Sequence, residues 1–88
     1  MDPIIGQITY VPWGWQMEGW ATCSGQIMQV NQNQALFSLL GNAFGGDGHT
    51  TFALPDYRPL ENGVKRPWHS NGELVPHIAL TGIYPMRA

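Results

Sequence analysis

Residues 31–46 read NQNQALFSLLGNAFGG, a stretch that specifies a helix together with both of its ends. Asn31 can cap the N-terminus, and Gln34 three residues later can bond back to the backbone of the cap. Apolar side chains then recur at three- and four-residue steps and share one face: Leu36, Phe37, Leu39, Leu40 and Phe44. Gly41 can adopt the left-handed conformation that ends a helix. The stretch predicts a short helix within residues 31–44, with an apolar face that needs a cover.

Extended segments lie on both sides of this helix. Residues 4–11 alternate in polarity and predict the first strand, and residues 27–30 and 51–54 predict two short ones. The mostly apolar segment 76–84 predicts the last strand. We therefore expect a small α+β domain in which a short helix packs on a few antiparallel strands. The N- and C-terminal strands are expected to be neighbours.

Length, charge and cysteine content exclude several classes of protein. The 88 residues predict one domain, 1–88, that buries only about 60% of its unfolded surface, and the single Cys23 excludes an internal disulfide. A net charge of −2 with four Lys and Arg offers no basic surface for nucleic acid. No signal peptide and no run of roughly 20 apolar residues is visible. We expect a protein made in the cytoplasm, with no nucleic-acid partner and no membrane insertion.

The balance of apolar and charged residues indicates association with other chains. Apolar residues make up 43% of the sequence and charged residues only 11%. A small domain with this composition has more apolar surface than one core can cover. We therefore expect a homo-oligomer.

No residue pattern indicates catalysis or a cofactor. The histidines His49, His69 and His77 stand singly, and no nucleophile or zinc-hydrolase spacing occurs. Residues 45–48, Gly-Gly-Asp-Gly, lack the lysine of a phosphate-binding loop and the alternating carboxylates of a calcium loop, so they predict a structural turn. Cys23 predicts a buried, unreactive thiol. We expect no enzyme, no cofactor and no metal site within one chain, while a metal shared between subunits stays open.

Several aromatic side chains stand beside polar turn residues, an arrangement typical of sugar-binding surfaces. They are Trp13, Trp15, Tyr57, Trp68 and His69. A Trp or Tyr ring stacks on the apolar face of a pyranose while neighbouring amides and hydroxyls orient the sugar. The same rings could instead pack in the core or in a subunit interface. The sequence leaves ligand binding, packing and simple exposure as alternatives.

Motifs along the chain resemble those of a known family. They are IGQI at 5–8, GWATCSGQ at 19–26, LFSLLG at 36–41, FGGDGHTTFALPD at 44–56 and IALTGIYP at 78–85. In these motifs the chain resembles the phage tail collar domain, including its microcystin-dependent-protein branch, over residues 4–58 and 76–87. Ser24 stands where the family usually has Asp. Compared with longer members, residues 60–75 form a shortened variable loop.

The resemblance implies a structural component of a phage tail or phage-tail-like particle, of the collar or tail-fibre type. It implies assembly as a homo-oligomer, with a trimer favoured, contacts with other tail or baseplate proteins, and a place in a virion tail or extracellular particle. Host-surface attachment through a cell-surface glycan is a further implied role. The alternative is a free-standing carbohydrate-binding, lectin-like module, which the neighbouring genes would distinguish.

Overall fold

A computed structural model of the protein describes residues 3–69 and 72–86. Its elements are β1 Ile8–Val11, β2 Trp20–Thr22, β3 Ile27–Gln29, a 3₁₀ turn Val30–Gln32, α1 Gln34–Leu40, β4 Thr51–Ala53, β5 Leu60–Glu61, β6 Val64–Lys65 and β7 Val75–Ala79. One helix accompanies antiparallel strands, so the predicted α+β class is confirmed. Within the described ranges, no helix has the length and apolar composition needed to span a bilayer.

The central sheet has three antiparallel strands in the order β1-β7-β2. Ile78 of β7 lies opposite Ile8 on one side and Ala21 on the other. All five residues of β7 are buried, because the strand has a neighbour at each edge and chain packed over its faces. The prediction that the first and last strands are neighbours is confirmed.

The hydrophobic core lies between this sheet, the helix α1 and the β3–β4 pair. Leu36 from α1, Phe52 from β4 and Ile78 from β7 are buried in one cluster. The Phe37 ring packs at a tilt on the Phe52 ring, with centroids 5.4 Å apart. Each fully buried side chain of this size stabilises the fold by roughly 1.5–3 kcal/mol. The helix is therefore held mainly by packing.

The N-terminus of the helix differs from the prediction. The α-helix begins at Gln34 with Asn33 as N-cap, rather than at Asn31, and no side-chain cap hydrogen bond is present. The Asn33 amide instead donates to the Gln29 carbonyl at 3.0 Å. The predicted capping box is wrong because residues 30–32 form a 3₁₀ turn that moves the helix start along the chain.

The C-terminal half of the helix follows the sequence pattern in part. Gly41 ends the helix at a φ of 58°, and its N–H donates to the Phe37 carbonyl at 2.7 Å. Leu40 is half-buried against the core. Leu39 and Phe44 are exposed, because Gly41 ends the helix before Phe44 and the covered face is narrower than predicted.

Two predicted strands are shorter in the structure. The segment 4–11 becomes a strand only at Ile8, because Gly6 at a φ of 86° makes a turn in its first half. The segment 76–84 is a strand only to Ala79, since the chain bends immediately afterwards. The short strand β2 lies in a region for which the sequence predicted only a loop and a turn.

Residues 60–75 were predicted to form a long loop, but they contain a two-stranded ribbon. Leu60 pairs with Lys65, and Glu61 pairs with Val64. The connecting Asn62-Gly63 turn has positive φ at both residues, as the tightest hairpin turns require. We call β5, β6 and this turn the ribbon.

Candidate functional site

The first exposed feature is a stacked pair of tryptophans in the loop between β1 and β2. The Trp13 and Trp15 rings lie 5.5 Å apart at an interplanar angle of 14°. The Trp15 side chain is 70% exposed, whereas Trp13 is half-buried. Trp13 Nε1 is buried and has no hydrogen-bond partner among the described residues, which costs about 1–3 kcal/mol. An acceptor from water or another molecule would remove that cost.

A buried histidine connects this loop to the central sheet. His77 lies in β7 with Nδ1 3.0 Å from the Val75 carbonyl and Nε2 3.3 Å from the Trp15 carbonyl. A neutral imidazole carries one N–H, so it donates to one of these carbonyls at a time. Its place in an otherwise apolar strand is the sequence signal for such a structural histidine.

The loop between β1 and β2 is called the tryptophan loop. The second feature is a cavity of about 390 Å³ beside this loop. We call it the loop pocket, and its lining residues are Gly14, Thr22, Ser24, Arg58, Pro67 and Trp68. It combines two hydroxyl groups, a guanidinium and an aromatic ring. Of the five aromatic candidates from the sequence, Trp68 lines this pocket, and Gly14 lies between Trp13 and Trp15.

The hydroxyl wall of the loop pocket is held by a small hydrogen-bond network. Thr22 Oγ1 and Ser24 Oγ are 2.8 Å apart. Gln26 Nε2 donates to Thr22 Oγ1 at 3.3 Å, while Gln26 Oε1 accepts from the Ser24 backbone N–H at 3.1 Å. The turn also uses Gly25 at a φ of 76°, a conformation that glycine adopts without steric cost. The network fixes both hydroxyls at the edge of the pocket.

The guanidinium wall is an ion pair within one short segment. Arg58 Nε and Nη2 donate to Asp56 Oδ1 and Oδ2 at 3.0 and 2.8 Å. These side-chain bonds lower the pKa of Asp56 to about 2. From the ribbon, Lys65 Nζ donates to the carbonyls of Asp56 at 2.9 Å and Arg58 at 3.3 Å. The ribbon therefore holds this segment through polar contacts.

The remaining aromatic candidates lie outside the loop pocket. Tyr57 is about half exposed beside the Asp56–Arg58 pair, and His69 is exposed next to Trp68. The His69 backbone N–H donates to Glu73 Oε1 at 2.7 Å. Glu73 also accepts two bonds from Arg66, and together these contacts lower the pKa of Glu73 to about 2. The five candidates therefore occupy the tryptophan loop, the pocket lining and the chain positions next to Arg58 and Trp68.

The Gly-Gly-Asp-Gly segment is a structural turn, as predicted. One oxygen of Asp47 accepts from the backbone N–H groups of Thr51 at 2.9 Å and of His49 and Thr50 at 2.8 Å. These bonds hold the pKa of Asp47 well below its usual range, and the bond from Thr51 contributes most to this shift. The carboxylate is thus engaged by its own turn. A cavity of about 240 Å³ beside it is lined by Gln29, Val30, Asn31, Gln34, His49 and Thr50.

Neither a reactive thiol nor a metal cluster is found in residues 3–69 and 72–86. Cys23 is buried, as the sequence predicted, and this burial raises the pKa of its thiol to about 11. No group of three or more His, Cys, Asp and Glu side chains in those ranges is placed to hold a metal ion.

Comparison with known proteins gives one family. The model of the Phage Tail Collar Domain matches residues 6–60, which are 55 of the 88 residues. No curated protein and no solved structure matches the chain. The matched range contains Gly14, Thr22, Ser24 and Arg58 of the loop pocket and ends at the first residue of the ribbon. It confirms the resemblance to this family over residues 6–60.

Proposed function

The chain belongs to the phage tail collar domain family, and on this premise we propose that it is a structural component of a phage tail or phage-tail-like particle. The observation that carries the proposal is the family match over more than half of the chain. Its role is of the collar or tail-fibre type, located in the virion tail or in an extracellular particle. Other tail or baseplate proteins are its expected partners.

We propose that the protein acts by assembling with copies of itself, with a trimer favoured. Support comes from large apolar side chains left exposed on the surface. Ile4 and Ile83, which meet in a backbone bridge, are 48% and 55% exposed, and Trp15 is 70% exposed. Large apolar side chains exposed in this way are typical of contacts between chains. The tryptophan loop is the part of the surface that we assign to the interface.

The chemistry of the described residues supports a binding role rather than catalysis. The Asp47 and Asp56 carboxylates are engaged by hydrogen bonds within their own segments, and Cys23 is buried. Activated carboxylates or thiols at functional sites need access to a substrate. We therefore propose host-surface attachment, and no reaction, as the activity that accompanies assembly.

Light scattering after size-exclusion chromatography tests the assembly. We expect a mass near three times the chain mass of 9.8 kDa at micromolar concentration. Trp15→Glu should lower this mass because it places a charge in the interface. Gln32→Glu adds the same charge at an exposed position in the 3₁₀ turn, outside the tryptophan loop, and should leave the mass unchanged. A monomer at all concentrations would overturn the assembly proposal.

The second candidate function is a free-standing, lectin-like module, and the loop pocket is the observation that favours it. The two functions differ in where the protein is found. Mass spectrometry of purified tail particles should detect the chain as a stoichiometric component if it is a tail protein. Its absence from particles, together with sugar binding by the isolated protein, would favour the module.

A further inference from the structure

We propose that the loop pocket binds one neutral pyranose unit of a glycan. The proposal rests on the attachment role given above and specifies its ligand. The pocket volume of about 390 Å³ lies at the small end of the roughly 300–1,000 Å³ typical of ligand sites. A single sugar ring is a ligand of suitable size for such a site.

The aromatic wall provides the apolar contact that a pyranose needs. Trp68 is half-buried and lines the pocket. Sugar rings present C–H groups on one face, and an indole face is a complementary surface for them. Pro67 precedes Trp68 in the same wall and limits the conformations of this segment.

Two further lining residues provide groups that both donate and accept hydrogen bonds. The Thr22 and Ser24 hydroxyls share one hydrogen between them across 2.8 Å, so the second hydroxyl hydrogen remains for a ligand. Gln26 holds both residues in place through its amide. Hydroxyl groups that are fixed before binding match the hydroxyl groups of a sugar with a small loss of entropy.

The Arg58 guanidinium is already paired with Asp56, which favours a neutral ligand over an acidic one at this group, while Lys65 Nζ is engaged by two backbone carbonyls. Asp56 compensates the charge of Arg58 and occupies its Nε and Nη2. Nη1 of Arg58 makes no hydrogen bond to the described residues and can donate to a sugar oxygen. A ligand carboxylate or phosphate would compete with Asp56 for the guanidinium. A neutral hydroxyl or ring oxygen needs no such exchange.

Charged contacts outside the pocket keep the guanidinium wall and the aromatic wall in position. Lys65 bonds to the backbone of the Asp56–Arg58 segment, and Arg66 Nη1 donates to the Pro67 carbonyl at 3.0 Å. Arg66 is itself fixed by Glu73 at 2.8 Å. The site is therefore supported by side chains that do not contact the ligand, as a preformed site requires.

NMR titration of the full chain with methyl glycosides tests the proposal. The probes are the methyl glycosides of glucose, galactose, mannose and N-acetylglucosamine, with methyl glucuronide as the acidic probe. We expect at least one neutral glycoside to bind with a dissociation constant in the millimolar range, because one sugar unit contributes few atoms. The Trp68 indole signal should shift on binding.

Variants assign the binding to the loop pocket. Trp68→Ala should weaken binding by about tenfold or more, and Ser24→Ala by about threefold to tenfold. Tyr10→Ala removes an exposed aromatic ring in β1, outside both the pocket and the tryptophan loop, and should leave the dissociation constant unchanged. Dispersed backbone signals in each variant establish that it is folded, and Ser24→Ala keeps the test valid if Trp68→Ala does not fold.

Three results would overturn the inference. The first is that no neutral glycoside binds at concentrations up to about 20 mM. The second is that the glucuronide binds more tightly than the neutral glycosides. The third is that Ser24→Ala binds them with an unchanged dissociation constant. Light scattering on the same samples shows whether the oligomer forms, so failure of the sugar-binding proposal can be distinguished from failure of the assembly proposal. An intact oligomer that binds no sugar contradicts the pocket assignment alone, whereas a monomer that binds sugar contradicts assembly alone.

Discussion

The strand β7 and the ribbon lie in opposite environments. All five residues of β7 are buried, and all four strand residues of the ribbon are exposed. β7 has a hydrogen-bonded neighbour on each side, whereas β5 and β6 pair with each other alone in the described sheets. A lone two-stranded hairpin is at best marginally stable in water. The fold is therefore held at β7, and the ribbon depends on the rest of the molecule.

The difference shows which forces position each region. β7 contributes Ile78 to the apolar core, where burial stabilises the native state. The ribbon is connected through Lys65 to backbone carbonyls, and Arg66 beside it bonds to Glu61 at 3.2 Å and Glu73 at 2.8 Å. Exposed ion pairs add little stability but restrict geometry. The surface around the loop pocket can thus serve binding without supporting the core.

The largest expected effect is the loss of a core side chain. Leu36→Ala should lower the free energy of unfolding by about 2–5 kcal/mol, because Leu36 is fully buried. Leu40→Ala, at a half-buried position, should cost less. Leu39→Ala, on the exposed side of the same helix, should change stability by about 0.5 kcal/mol or less. Urea denaturation measures all three, and equal losses would refute the assigned helix face.

A smaller effect is expected at glycines with positive φ. Gly82 has a φ of 135° and lies directly against the Pro3 carbonyl, so an added Cβ would clash. Gly82→Ala should destabilise by about 1–3 kcal/mol. Gly63 in the ribbon turn has a φ of 78° with open space around it, and Gly63→Ala should cost only about 1 kcal/mol. Thermal melting that ranks the two variants in reverse would contradict the close approach.

Acid should weaken the polar region through three carboxyl groups. The pKa values of Asp56 and Glu73 fall from the ordinary 3.8 and 4.5 to about 2, and that of Asp47 is also lowered. A lowered folded-state pKa gives stability that is present above about pH 5 and is lost as pH falls toward 2. The urea midpoint should therefore decline below about pH 4. Glu73→Gln should show a shallower decline, and an identical one would exclude its contribution.

The smallest effect is expected in the ribbon. Val64→Ala removes an apolar side chain that is 66% exposed, so the free energy of unfolding should change by about 0.5 kcal/mol or less. Val75→Ala is the matched control, because the same residue type is 1% exposed in β7. It should cost more than about 1 kcal/mol. Equal losses for the two valines in denaturant unfolding would remove the contrast between the regions.

Local patterns in the sequence predicted the elements that depend on neighbouring residues. Gly41 ends the helix, and the Asp47 segment forms a turn. The helix start was wrong because the 3₁₀ turn before Asn33 competes with the capping box. The ribbon was missed because its strands have two residues each, too few to show alternation. Its Asn62-Gly63 turn was the available signal.

The candidate site could be predicted only in part. The sequence singled out Trp68 from its polar surroundings, but the hydroxyls of Thr22 and Ser24 and the guanidinium of Arg58 were not assigned to a site. Arg58 lies more than thirty positions after Thr22 and Ser24 along the chain, and the two segments meet through a backbone bridge between Ser24 and Asp56. The partner of His77 in the tryptophan loop is likewise a contact between distant segments. Such contacts follow from the fold and not from local sequence.

The central claim is that a packed core around β7 supports a separate surface, the tryptophan loop, that makes contacts between chains. Amide hydrogen exchange at two protein concentrations tests this claim most directly. The β7 amides should exchange slowly at both concentrations, at a rate set by global unfolding. Amides of the tryptophan loop should exchange fast in dilute solution and become protected at the concentration where light scattering shows the oligomer. Protection of that loop independent of concentration, or exchange of β7 as fast as that of the ribbon, would contradict this division of the molecule.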